Sequence, residues 1–255
     1  MAHFRVLGPI ELTHDGRILT PTPPKVRTVL ALLLLRANRV VTVDALIREI
    51  WGDEPTRSAV TTVQTYVYHL RKQFSRERLD VPIESIGGGY RLVLAPGRLD
   101  LDAFARLLDS GRDALHDDRP AEAATALRAA LDVWRGGPLG DVTLGRALSA
   151  HATHLEEQRI RAIELRIQAD VALGRGRELI GELRYLVAMH PLNEWFHQQL
   201  IAVLGRAGRR GEALQSYHRL RTVLRDELGI DPSPEVQRLH RDVLGAGSSG
   251  MRSAV

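Results

Sequence analysis

The side chains best suited to recognition chemistry lie between Ser58 and Arg78, in the stretch SAVTTVQTYVYHLRKQFSRER. Wound at about 100° per residue, Thr61, Thr65, Tyr68, His69, Lys72 and Arg76 share one side. All are hydrogen-bonding or cationic, and none is acidic. Such a face suits the major groove of DNA, whose base edges offer donors and acceptors between walls of phosphate. Thr61, Thr65, Tyr68 and His69 are the expected base readers, with Thr62 and Tyr66 on the flanks. Arg57, Arg71, Lys72 and Arg76 are the expected phosphate contacts. Arg57 stands near the helix start, where backbone N–H groups and the dipole also favour an anion.

A second cluster, His151-Ala-Thr-His154-Leu-Glu156-Glu157, could in principle hold a metal. It is not the HExxH pattern and no other ligand group accompanies it, so it reads as the charged face of a long helix. No Gly-x-Ser-x-Gly elbow occurs. With no cysteine, disulfides, thiolate metal sites and a cysteine nucleophile are ruled out. The expectation is a binding protein rather than an enzyme, with neither cofactor nor metal.

The recognition stretch needs a scaffold. Val63, Val67, Leu70 and Phe74 form an apolar stripe on its back and are expected core. Upstream, residues 3–12 and Arg17-Ile18-Leu19, joined through Asp15-Gly16, read as a small β-sheet ended by Pro21, Pro23 and Pro24. Lys25 to Arg36 reads as a strongly apolar helix. Thr42 caps a second, with Asp44 in its first turn, running to Trp51. Trp51 is expected to anchor the core. The Gly52–Arg57 loop then leads into the third helix, a helix-turn-helix order. Ile83 to Ile86 and Tyr90 to Leu94 are short β runs joined by Gly87, Gly88 and Gly89, the layout of a wing, and Arg91 is its expected phosphate contact. Tyr90 is expected to pack beneath it.

Beyond Ala95-Pro96-Gly97 nearly everything reads as helix, at about 101–116, 120–135, 146–173, 177–189, 193–207, 211–228 and 234–244. Leu173-Gly174-Arg175 recurs as Leu204-Gly205-Arg206, and Gly176-Arg177 as Gly208-Arg209. Helix pairs at a period near 34 predict tetratricopeptide-like stacking. Expected domains are 1–95, a winged helix-turn-helix; 99–245, helical; and 246–255, a disordered tail. The fold class is mainly α with a small β part.

The 255 residues are 44% hydrophobic and 26% charged, as in ordinary soluble proteins. The longest apolar run, Val29 to Leu35, is too short for a membrane span, so a cytoplasmic protein without membrane contact is expected. The net charge of +4 is unevenly placed. Residues 1–97 hold 13 basic and 9 acidic side chains, and the remainder 22 of each. The excess therefore lies where a polyanion would be met. Arginine outnumbers lysine 33 to 2, which GC-rich codon usage explains.

Together the segments TVDALIREIWGDEP, VQTYVYHLRKQF and IESIGGGYRLVL resemble the OmpR-type winged helix-turn-helix. FRVLGPIEL and PPKVRTVLALLLLRANRVVT narrow the likeness to the Streptomyces antibiotic regulatory protein (SARP) family. LDLDAFARLLDSGRDAL and ALRAALDVWRGGPLGD resemble the bacterial transcriptional activation domain that follows in that family. The likeness runs from about residue 4 to 244. It implies a transcriptional activator of secondary-metabolite (antibiotic) gene clusters, with two protomers side by side on promoter direct repeats near the −35 element. It also implies recruitment of RNA polymerase holoenzyme, with Asp53 and Glu54 in a polymerase-facing loop. Neither lysine, Lys25 nor Lys72, completes a phosphate-binding loop, so a small member without the nucleotide-binding domain of larger relatives is expected. Two other readings stay open on the residues: a helical-repeat protein-interaction adapter, and a ligand-gated sensor.

Overall fold

The computed structural model describes residues 1–245; the expected tail, 246–255, lies outside the described residues. Strands β1 (Ala2–Arg5), β2 (Glu11–His14) and β3 (Arg17–Ile18) form an antiparallel sheet with Phe4 opposite Leu12. Asp15 and Gly16 both take positive φ, the two-residue turn whose twist suits a hairpin. Helix α1 (Pro24–Leu35) starts on proline, where the missing N–H costs nothing, and buries Val26 and every residue from Thr28 to Leu34. In α2 (Val43–Trp51) the Thr42 hydroxyl accepts the Ala45 N–H at 3.1 Å, the expected cap.

Helix α3 (Ala59–Arg76) lies across α1 and α2 with Val63, Val67, Leu70 and Phe74 buried in the shared core. Strands β5 (Ile83–Ile86) and β6 (Gly89–Leu92) follow. The two residues Val41–Thr42, β4, pair with β6 and make a second three-stranded sheet in the order β4-β6-β5. That strand was not anticipated. It is too short to show alternation, and its pairing comes from a partner some fifty positions away.

Helices α4 (Asp100–His116), α5 (Pro120–Asp132), α6 (Arg146–Ala172), α7 (Ile180–Met189), α8 (Glu194–Arg206), α9 (Arg210–Leu228) and α10 (Pro234–Gly245) complete the order, with a 3-10 turn over Gly176–Leu179. Compactness divides the chain within α6, into Met1–Arg166 and the residues from Ile167 onward.

Within the first unit, three carboxylates bind residues beyond 97 to the winged helix. Asp100 accepts the N–H groups of Val6 and Leu7 at 2.9–3.0 Å. Burial pushes its pKa above the usual aspartate value, against the pull of those two N–H groups. Asp141 accepts the Ile10 N–H at 2.7 Å and pairs with Arg27. Glu49, only 6% exposed on α2, accepts the N–H groups of Gly145, Ala147 and Leu148, the first turn of α6. Leu7 completes the apolar cluster of Phe104, Ala130, Trp134, Leu155 and Ala162. Main-chain bonds from Arg135 to Leu7 and from Leu139 to Val6 close the same seam.

In the second unit the repeat is visible in the helix ends. Gly174 and Gly208, 34 residues apart, both take left-handed φ just past α6 and α8. The N–H of Arg175 returns to the Asp170 carbonyl, and that of Arg209 to the Leu204 carbonyl, at the same offset. The matching residues are thus Gly174 with Gly208, not the Leu-Gly-Arg pair that the letters aligned. Glycine recurs there because only it takes that conformation without strain.

His197 on α8 is 2% exposed, and burial holds its pKa below 6.5. The unfolded chain therefore takes up a proton below pH 6.5 that the folded ring refuses. Its contribution to stability is full above 6.5 and is lost as pH falls through the depressed folded value, at up to about 1.4 kcal/mol per pH unit. His151, shifted the same way by burial and then by the charge of Arg36, adds to the slope. Urea midpoints should fall between pH 6.5 and 5.5, above the carboxylate range; a flat profile there contradicts a neutral buried ring.

Candidate nucleic-acid interface

Helix α3 presents Thr61, Thr65, Tyr68, His69, Lys72 and Arg76 on its exposed side, opposite the buried stripe. Thr62 and Tyr66 are half-buried, and Tyr66 packs on the core. The Thr62 and Thr65 hydroxyls donate to the carbonyls of Ser58 and Thr61, each at 2.9 Å. Their protons are committed to the helix, so both oxygens meet an incoming group as acceptors. Tyr68 and His69 meet edge to face with ring centroids 5.7 Å apart, and the Lys72 ammonium lies 6.0 Å from the Tyr68 ring. These contacts hold three long side chains partly ordered before any partner arrives.

Gln64 is the residue the sequence reading passed over. It is exposed on the same face between Thr61 and Tyr68, and its amide can bond adenine through two parallel contacts. Helical projection alone placed it there. Neutral charge hid it.

The five expected phosphate contacts differ in their surroundings. Arg57 and Lys72 are exposed, with no acid paired to either among the described residues. Arg71 donates to the Ile83 carbonyl (2.8 Å) and to the Ser85 hydroxyl (2.9 Å), with its guanidinium 5.5 Å from the Tyr90 ring. It ties α3 to the wing and keeps further donors outward. Arg76 pairs with Glu77 at 2.9 Å. Arg91 is held by Glu84 through two bonds of 2.6 and 2.9 Å. The last two therefore bring less uncompensated charge than the sequence implied.

The wing turn is Gly87 and Gly88, with φ +50° and +79° and open space where a Cβ would be. Gly89 differs. It is the first residue of β6, paired with Thr42 and Ile86. Tyr90 is buried under Arg71, as packing predicts. In the preceding loop Asp53, Glu54, Pro55, Thr56 and Arg57 are all exposed. Trp51 is half-buried on the core, with the Lys25 ammonium 4.9 Å from its ring.

Among the described residues no three His, Asp or Glu side chains stand close enough to hold a metal, and no helix is long and apolar enough to cross a membrane. In the His151 cluster, His154 instead contacts Gln158 and Glu157 on its own helix.

Comparison with known proteins agrees with this arrangement. Residues 19–92 match the family described as "transcriptional regulatory protein, C terminal", and residues 99–244 match the "bacterial transcriptional activator domain". The regulatory protein DnrI of Streptomyces peucetius is 38% identical over 251 residues, covering 95% of this chain and 92% of that protein. The transcriptional regulatory protein EmbR of Mycobacterium tuberculosis is 36% identical over 243 residues, 94% of this chain but 63% of EmbR. AfsR of Streptomyces coelicolor is 38% identical over 244 residues, 95% of this chain and 24% of AfsR. The solved structure of M. tuberculosis EmbR with a low-affinity phosphopeptide superposes with TM-score 0.90 at 35% identity, over 96% of this chain and 65% of that one. A winged helix with an acid-free polar face, followed by a helical activator domain and matched along nearly its whole length by such regulators, places this chain in the Streptomyces antibiotic regulatory protein family of transcriptional activators.

Proposed function

We propose that α3 reads promoter sequence with Thr61, Thr65, Tyr68 and His69, flanked by Thr62 and Tyr66. Arg57, Arg71 and Lys72 hold the phosphates, and Arg76 and Arg91 contribute less. The observation that carries this reading is the acid-free exposed face of α3, fixed by a buried stripe and braced to the wing through Arg71. Gly87 and Gly88 let the wing backbone approach a neighbouring phosphate. Two protomers lie side by side on direct repeats near the −35 element of a secondary-metabolite promoter. The functional modules are residues 1–95 for DNA and 99–245 for activation, in the cytoplasm.

Footprinting and binding titrations on the promoters neighbouring its own gene test this. His69→Ala should cost roughly 1–3 kcal/mol at the cognate site and relax preference for it. Equal losses on cognate and scrambled DNA remove His69 from base reading. Lys72→Ala should weaken all sequences alike and lower the salt slope by about one. An unchanged slope removes it from the phosphate contacts.

Asp53 and Glu54, exposed and without a basic partner among the described residues, are the proposed contacts to basic polymerase surface. Asp53→Ala with Glu54→Ala should leave DNA binding intact and abolish activation in a reconstituted transcription assay. Full activation by that double variant defeats the assignment.

A further inference from the structure

Helix α3 holds two glutamines in opposite states. Gln73 is half-buried and donates its amide to the Leu19 carbonyl at 2.6 Å. Gln64 is exposed and makes no hydrogen bond among the described residues. Its Nε2 and Oε1 are therefore an uncommitted donor and acceptor side by side.

The surroundings of Gln64 narrow what that pair would meet. From Ala59 to His69, about three turns of helix, the chain has no arginine and no lysine. Those are the side chains that read the two acceptors of guanine. The cations of α3 begin at Arg71, whose guanidinium is held by Ile83 and Ser85 of β5. Thr65, next to Gln64, has donated its hydroxyl to the Thr61 carbonyl. That bond leaves the γ-methyl of Thr65 for apolar contact. The leading turns of a recognition helix are the part that reaches base edges in the major groove. There adenine shows its N6 donor beside its N7 acceptor, the base edge that an amide matches with two parallel bonds. Guanine shows two acceptors, so Oε1 would face an acceptor. Thymine alone carries a C5 methyl.

Resting on the reading of α3 given above, we infer that Gln64 specifies an adenine in the site. Its Nε2 donates to N7 and its Oε1 accepts from the N6 amine. The Thr65 methyl specifies a nearby thymine by contact with its C5 methyl. The part of the site under the leading turns of α3 is thus selected for A·T pairs by neutral side chains, and the cations further along hold the backbone.

The test uses the full chain and a randomised DNA duplex library, selected in parallel by the parent, Gln64→Ala, Gln64→Glu and Thr65→Ser. All three substitutions replace exposed side chains outside the core. The parent should select a consensus containing one adenine that depends on Gln64. Gln64→Ala should accept any base there and keep the other positions. Gln64→Glu, which only accepts, should turn that position to cytosine, whose N4 donates. On the selected duplex, 7-deazaadenine at that position lacks the N7 acceptor. It should weaken the parent about tenfold and leave Gln64→Ala unmoved. Deoxyuridine in place of the thymine should weaken the parent about three- to fourfold, the worth of one methyl, and Thr65→Ser not at all. The adenine assignment is overturned, with α3 still the reading helix, if the consensus survives Gln64→Ala at every position, if that variant loses all sequences alike, or if the parent ignores 7-deazaadenine. Indifference of the parent to deoxyuridine overturns the role of Thr65. A parent that selects no consensus overturns the reading of α3 and this inference together.

Discussion

Glu49→Ala should destabilise the first unit by about 3 kcal/mol, a large effect for a polar side chain. The carboxylate accepts three N–H groups at the start of α6, at 2.7, 2.8 and 3.1 Å. It is buried, so water cannot readily replace it. Alanine removes a helix cap and leaves donors unsatisfied, and bonds to a charged acceptor are the stronger kind. The negative charge also sits on the positive end of the α6 dipole. Glu49→Gln keeps one acceptor oxygen but turns an NH2 group toward the same donors, so an intermediate loss is expected. Urea titration followed by tryptophan fluorescence measures both, Trp51 and Trp134 reporting on this unit. A loss under about 0.5 kcal/mol for the alanine variant, the range of an ordinary surface change, rules out the cap. A second expectation separates folding from DNA contact. At temperatures where the variant remains folded, its salt slope should match the parent's, because Glu49 faces α6 and not α3.

Glu49 also shows where sequence reasoning stops. The helices, their order and the two-faced character of α3 follow from periodicity and local caps, and those signals lie within a few residues of what they specify. Thr42 ahead of α2 and Pro234 at the first turn of α10 are of this kind. Glu49 reads in the sequence as one more polar residue on an amphipathic helix. Its partners lie 96–99 positions away, and no local pattern announces them. Asp100 and Asp141 are alike in this. Their spacing resembles that of surface acids, yet they cap backbone at the seam. The compact division at Arg166 follows from these contacts, whereas Ala95-Pro96-Gly97 lies between the two matched families, at residues 19–92 and 99–244.

The exposed face of α3 was legible in outline for the same reason. A face is set by helical geometry, so the exposed residues of α3 could be named. The state of each cation could not, because Glu84 and Glu77 neutralise Arg91 and Arg76 through contacts that depend on hairpin register and helix end. Gln64 stands exposed on the same face, although neither charge nor a hydroxyl group marks it.

The three wing glycines carry the last expectation, since letters alone make them equivalent. Gly89→Ala should cost about 2–3 kcal/mol and weaken DNA binding, while Gly87→Asn should be close to neutral for folding. A Cβ on Gly89 would lie 2.5 Å from the Val41 carbonyl oxygen and 2.9 Å from Val40 Cγ1. The nearer atom is backbone in a paired strand and cannot swing aside, so β4 and β6 must separate or the wing must tilt. Gly87 stands in open space at φ +50°, a conformation asparagine tolerates better than other residues with a side chain. Thermal or urea unfolding of the two variants decides the matter. Equal losses at both positions would mean that turn conformation, and not the close approach of β4, is what requires glycine. A large loss confined to Gly89 would place its role in the three-stranded sheet that sets the wing against α3, leaving Gly87 and Gly88 as the pair able to reach DNA.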